Sequence, residues 1–363
     1  MVPATRCQRR RRSKADRKPY IVTLLRDLVH LAPPNRDHYP ALRCAIGISV
    51  PLLLVMLLGR IDLAIFATFG AFAGIYGRNE PHRQRLATQA RGGGLMFFFI
   101  LAGALAARAD IGPWTLVLLA SAVAGLGAYL AGLFRLRPPG SLFHIFAFAA
   151  ITSLPSQPPL GEAVLTALAT VVFALLLGQT GNLLPAHHTG WAAAPPTPLT
   201  TQHRAALLRE SALYVVAAGV AGVLATALGI GHTYWAMVAA VVPLVGQSAR
   251  ARTTRGLQRI LGTFVGLLLT ALILLPGLSG WQLVPVIALS QFAVELFILR
   301  QYALAQVFIT PLALVSTELA HHTDPRQLLL DRGLETVIGA CVGIGLVLAL
   351  HFWQQNTRPR RAA

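Results

Sequence analysis

The chain has 363 residues, of which 55% are hydrophobic and only 12% charged, with a mean hydropathy of +0.61. Soluble domains carry about 25% charged residues, so this composition argues against a soluble fold and for a polytopic helical membrane protein. The apolar runs are continuous, which argues against a β-barrel and its short alternating segments. The formal charge of +18 would suggest nucleic acid in a soluble protein, but in a membrane protein it reads as topology, and no nucleic-acid partner is expected.

The first stretch, residues 1–40, is a basic arm containing Arg9 to Arg12. No apolar core or cleavage site follows, so it does not read as a signal peptide. Tyr20 to Leu31 sets Ile21, Leu24, Leu25 and Leu28 on one helical face, as expected of a short amphipathic helix lying on anionic lipid. A disordered basic tail is the alternative.

Twelve apolar segments follow, six in each of two halves. In the first half, residues 41–185, they are 41–58, 62–77, 90–107, 113–134, 141–154 and 161–184. A short cytoplasmic linker, 186–209, leads to the second half, 210–353. Its segments are 211–228, 233–247, 258–275, 281–299, 302–317 and 333–352, and a basic tail, 354–363, ends the chain. Segments 62–77, 141–154 and 233–247 fall below the roughly 20 residues that cross a bilayer upright, so they are expected to be thinned, broken or re-entrant.

The halves resemble one another. GRNEPHRQRLATQARGGGLMFFFILAG begins at Gly77 and GQSARARTTRGLQRILGTFVGLLLTAL at Gly246. An offset of 168 residues lays Arg91 on Arg259, Gly94 on Gly262 and Arg43 on Ser211, and Trp114 precedes Trp281 by 167 residues. With the N-terminus inside, 27 of the 31 Lys and Arg fall on the cytoplasmic side, leaving Arg60, Arg108, Arg326 and Arg332 outside. The positive-inside rule then puts both termini in the cytoplasm. Six segments per half return the chain to the same side, so the fold expected is an all-α polytopic transmembrane bundle of about 12 segments, built as two parallel repeats.

No enzyme signature is present: there is no P-loop, HExxH, GxSxG or dinucleotide fingerprint, so no catalytic residues and no cofactor are expected. Cys7, Cys44 and Cys341 are isolated and read as inert thiols. The His187–His188 and His321–His322 pairs lack further ligands, so no metal site is expected.

The clearest polar constellation is Arg250, Arg252, Arg255 and Arg259. The last three fall at i, i+3 and i+7 on one face of a helix entering the membrane. Such a row can gather carboxylates at the cytoplasmic mouth, or simply hold its loop inside. His232, Tyr234 and Trp235 read as an outer aromatic belt or as an exit vestibule with a titratable histidine. Glu295 lies within a span, near Arg300, and Glu335 and Glu162 open the last segment of each half. With His232, Glu295 and Glu335 are the proton-coupling candidates, and an ion pair or a helix-dipole contact is the alternative. The pairs Gly70/Gly74, Gly262/Gly266 and Gly339/Gly343 suit close helix packing, within the bundle or at the seam of a homo-oligomer.

His232 to Leu269 resembles the core motif of the fusaric acid resistance family, which includes bacterial aromatic acid exporters. Its parts stand here as Tyr234–Trp235, the arginine-rich turn Arg250/Arg252/Arg255, and Arg259-Ile-Leu-Gly262-Thr263. Asp331 to Gly339 resembles the family's last-helix pattern. The likeness covers about Ser211 to Leu350. It implies an inner-membrane exporter of small organic anions, often aromatic carboxylates, with Arg252, Arg255, Arg259, Thr263, Tyr234 and Trp235 along the path. A passive anion channel, or a non-transporting scaffold that binds anionic lipid or a partner, are the alternatives.

Overall fold

The computed structural model describes residues 26–35, 37–180, 200–320 and 325–357. The arm before residue 26, the histidine pairs and most of the linker lie outside the described residues. Among those described there are twelve α-helices from His38 onward, a helical turn at 26–29, and no strand. In the first half they are α1 (His38–Leu57), α2 (Ala64–Ala71), α3 (His82–Arg108), α4 (Pro113–Leu133), α5 (Leu142–Thr152) and α6 (Leu160–Gln179). In the second they are α7 (Thr201–Ala227), α8 (Tyr234–Val241), α9 (Ala249–Leu274), α10 (Gly280–Phe297), α11 (Tyr302–Ala320) and α12 (Pro325–Thr357). Short 3₁₀ turns extend α2 at both ends and α8 at its C-terminal end.

Eight of these helices are long and apolar enough to cross a membrane, and four apolar helices, at α2, α5, α8 and α11, are shorter. Each half therefore runs long, short, long, long, short, long, and the chain is a multi-pass helical membrane protein. The eleven residues of α5 rise about 16 Å, well under a hydrocarbon core of about 30 Å. Such a helix is tolerated at membrane depth where protein rather than lipid surrounds it. Accordingly every residue of α8 is buried, as are seven of the eight in α2.

The packing repeats as the sequence does. Within the first half α3 packs on α5 and α6, α2 on α6 and α1, and α4 on α5. Within the second, α9 packs on α11 and α12, α8 on α12 and α7, and α10 on α11. The halves join reciprocally: α4 packs on α7 while α10 packs on α1, and α5 touches α8 while α11 touches α2. A pair of contacts exchanged in this way is the signature of a two-fold relation between repeats.

Backbone detail agrees. The first helix of each half ends in a left-handed glycine, Gly59 (φ 67°) and Gly229 (φ 69°). At α1, Leu58, Gly59 and Arg60 donate to Leu54, Met56 and Val55; at α7, Leu228, Gly229 and Ile230 donate to Leu224, Thr226 and Ala225. The third bond in each set is the closing bond of a Schellman motif, which suits glycine. Trp114 and Trp281 are each the second residue of their helix and half exposed, as interface anchors. The expected linker 186–209 is shorter than drawn, because Thr200 caps α7 by accepting from the His203 N–H and residues 201–209 are already helical.

The three glycine pairs sit inside the bundle. A Cβ on Gly70 would lie 2.8 Å from the Ala167 carbonyl of α6, on Gly262 2.3 Å from that of Ala303 in α11, and on Gly339 2.1 Å from that of Ala236 in α8. Side chains larger than hydrogen are incompatible with these crossings, so the pairs serve helix packing within one chain.

Candidate functional site

Several polar groups are buried in the bundle, among them Arg85, bonded to the Gly178 and Glu80 carbonyls, and two clusters join distant helices. The first ties the halves together. Arg78, in the turn between α2 and α3, donates to Glu295 of α10 at 2.6 Å and to Asp37, just before α1, at 2.9 Å. Arg43 of α1 donates to the Arg78 carbonyl at 3.2 Å, and Gln291 donates to Glu295 at 3.3 Å. Glu295 is thus a partner in a cross-repeat ion pair at the arginine-rich end of the bundle.

The second cluster lies within the second half, where α8, α9, α11 and α12 meet. The arginine row on α9 enters it by degrees. Arg252 remains part-exposed and bonds the Gly246 carbonyl and Glu210, so it stays outside. Arg255, one turn deeper, lies over the Tyr302 ring at 4.2 Å, a cation–π contact. Arg259, the eleventh residue of α9, is 2% exposed. It donates from Nη1 to Gln306 Oε1 at 3.1 Å and, more weakly, to Tyr302 Oη at 3.4 Å. Gln306 in turn donates to Thr263 Oγ1 at 3.1 Å. The carbonyl-to-glycine crossing at Gly262 brings α9 and α11 close enough for this network.

From the opposite end α12 brings Arg332, 1% exposed, which lies over the Trp235 ring at 3.7 Å. Its charge is felt by Arg259, Glu335, Tyr234 and Tyr302. Arg259 stands about 15 Å along α9 and Arg332 about 10 Å along α12 at 1.5 Å per residue, on helices that enter the cluster from opposite ends. Among the described residues, Arg332 Nε, Nη1 and Nη2, and Arg259 Nε and Nη2, have no hydrogen-bond partner. Leaving a buried donor unpaired is costly, more so for a charged group. Two buried guanidiniums that influence one another, with the buried Glu335 carboxylate near Arg332 and also lacking a hydrogen-bond partner among the described residues, leave open N–H groups that can pair with an anion.

Trp235 also meets Phe146 of α5 at 4.4 Å between centroids, and Tyr234 lies tilted beside it at 5.2 Å. The first half's own interior, where α2, α3 and α5 pack, holds instead Phe66, Phe69 and Phe99, with Phe146 part-buried, and the buried Tyr76–His144 pair at 3.2 Å. Arg91, aligned with Arg259 in sequence, is exposed on α3. The cluster therefore belongs to the second half, with the first contributing an aromatic wall.

Several sequence expectations change. Tyr234 and Trp235 form no interfacial belt: they are 5% and 2% exposed, because short α8 lies wholly inside the bundle. Glu162 and Glu335 are not equivalent. Glu162 sits in the first turn of α6 and pairs with Arg60, whereas α12 starts earlier, so Glu335 is its eleventh residue and fully buried beside Arg332. His232 is part-exposed and lies 3.4 Å from Asp331. Thr263 is fully buried, as part of the Gln306 network. Arg332, Tyr302 and Gln306 were missed. Arg332 does fall in the Asp331–Gly339 pattern, which was the available signal; Tyr302 and Gln306 carry none.

Residues 220–346 match the fusaric acid resistance protein-like family. That region contains α8, α9, α10 and α11 entire, and the part of α12 that bears Arg332 and Glu335. The chain is also similar to the uncharacterized membrane protein YvaC of Bacillus subtilis (strain 168), 30% identical over 141 residues. That alignment covers 39% of this chain and only 22% of the relative's length. No solved structure matches the chain. The family match thus falls on the half that carries Arg259 and Arg332.

Proposed function

We propose that this protein is a transporter of the bacterial inner membrane that moves small organic anions, aromatic carboxylates foremost, out of the cell. The observation that carries the reading is the pair of buried guanidiniums, Arg259 and Arg332, with five N–H-bearing nitrogens unpartnered among the described residues. A carboxylate reaching the cluster would replace its hydration with these donors. Trp235, Tyr234 and Phe146 offer faces on which an aromatic ring can stack. Arg255, above Tyr302, stands between the arginine-rich end and Arg259 and would receive the anion first. Glu335 and His232, close to Arg332, are the proposed proton-coupling groups. Glu295, bound to Arg78, is proposed to couple proton uptake to loosening of the two halves.

The test is uptake of labelled 4-hydroxybenzoate, benzoate and a short aliphatic acid into everted membrane vesicles, with and without an imposed pH gradient. Saturable uptake of an aromatic acid above that of empty vesicles supports the reading. Unsaturable uptake that follows membrane voltage would identify a channel instead. No uptake of any acid contradicts transport of organic anions.

A further inference from the structure

We propose that residues 27–32 form a strap across the arginine-rich mouth of the path, and that entry to the buried arginine cluster requires its release. This rests on the transport reading above, but its physical basis is separate. The Asp27 carboxylate pairs with Arg250 at the start of α9, and the Asp27 carbonyl accepts from Gln258 at 3.3 Å. The Leu28 carbonyl accepts from Gln301 at 2.7 Å. Ala32 and Arg300 bond twice, the Ala32 N–H to the Arg300 carbonyl and Arg300 Nε to the Ala32 carbonyl, both at 3.0 Å.

The anchors bracket the entrance. Gln258 precedes Arg259, and Gln301 precedes Tyr302, whose ring carries Arg255 and whose hydroxyl reaches Gln306. The strap thus runs from α9 to the α10–α11 turn, over the helix ends between which Arg255 and Arg259 lie.

Its attachment is suited to release. No residue from 26 to 35 is buried, and Val29 and Leu31 are 76% and 47% exposed, so among the described residues hydrogen bonds and the part-exposed Asp27–Arg250 pair hold it more than apolar packing does. Its other end is fixed, because Asp37 is buried against Arg78. Pro33 and Pro34 stiffen the chain between the fixed end and the strap. Freeing residues 27–32 therefore breaks polar contacts at the surface and leaves the bundle's packing intact.

The experiment uses the 363-residue chain with Cys7, Cys44 and Cys341 replaced by alanine and a single reporter, Thr254→Cys, which lies buried on α9 between the strap contacts at Arg250 and Gln258, purified in detergent. Labelling by a charged thiol reagent is timed with the strap unaltered and with Asp27→Ala/Gln301→Ala. At least tenfold faster labelling in the altered strap is expected; equal rates overturn the proposal. Size-exclusion profiles of both proteins establish that they are folded. A second protein, Asp27→Cys/Arg250→Cys in the same cysteine-free background, is oxidised to tether the strap. Uptake that falls on oxidation and recovers with reductant supports gating, and uptake indifferent to the tether overturns it. Labelling needs no substrate, so a protein that carries none of the acids contradicts the transport reading while the labelling rates still decide whether the strap covers the mouth.

Discussion

Replacing Arg78 by Gln removes the guanidinium shared by two carboxylates from different parts of the chain. Asp37 and Glu295 are 4% and 3% exposed, and Arg78 meets them at 2.9 and 2.6 Å. Breaking a buried pair by deleting one partner costs about 3–5 kcal/mol, because the remaining charge is left uncompensated. Here two are left, so Arg78→Gln is expected at the upper end of that range. Glu295→Gln is milder: its amide oxygen still accepts from Arg78, and Arg78 keeps Asp37, so a loss of about 1–3 kcal/mol is expected. In the double variant the second change removes a charge already unpaired, and its loss should fall short of the sum by at least about 1 kcal/mol. Reversible unfolding by SDS in mixed micelles, followed by tryptophan fluorescence, measures all three. Additive losses, or an Arg78→Gln loss under about 1 kcal/mol, would show that this pair does not hold the two repeats together.

Other consequences are equally specific. Gly262→Ala and Gly339→Ala drive a Cβ onto a facing carbonyl and should destabilise by about 1–3 kcal/mol in the same unfolding assay; Gly94→Ala and Gly345→Ala, with nothing within 4 Å, should be neutral or stabilising by up to about 1 kcal/mol. Gln306→Leu strips Arg259 of its best acceptor and Thr263 of its donor, and should cost about 1–3 kcal/mol while lowering uptake. Arg91→Gln, on an exposed face, should leave uptake per inserted molecule unchanged, whereas Arg259→Gln should reduce it at least tenfold. Single cysteines at Ser156 and Ser279 should react with an impermeant reagent from the periplasmic side only; labelling from the cytoplasmic side would reverse the proposed orientation.

The architecture was legible because membrane segments announce themselves locally. Runs of apolar residues, glycine pairs and the matched Trp114 and Trp281 all depend on short stretches of chain. Segments 62–77, 141–154 and 233–247 stood out as too short, and they correspond to three of the helices that the bundle shelters. The site was legible in part. Arg259, Thr263 and Tyr234–Trp235 came from a motif on adjoining segments, and the structure brings them near one another. Arg332 was read as a loop charge on the far side, because sequence cannot tell that α12 begins at Pro325 and carries the residue two turns into the bundle. Tyr302 and Gln306 matter only through their partners on α9, and a contact across helices leaves no periodicity to read. The belt expectation for Tyr234 and Trp235 failed for a related reason: an aromatic pair opening a short segment looks interfacial until its neighbours enclose it.

The most direct test of the anion-path account is saturable uptake of labelled 4-hydroxybenzoate by purified protein in liposomes, comparing wild type with Arg259→Gln and Arg332→Gln at equal incorporation. The account predicts carrier-mediated uptake in wild type and at least a tenfold fall in both variants, although the two arginines enter from opposite ends of the bundle. Wild-type uptake that survives both substitutions would contradict it.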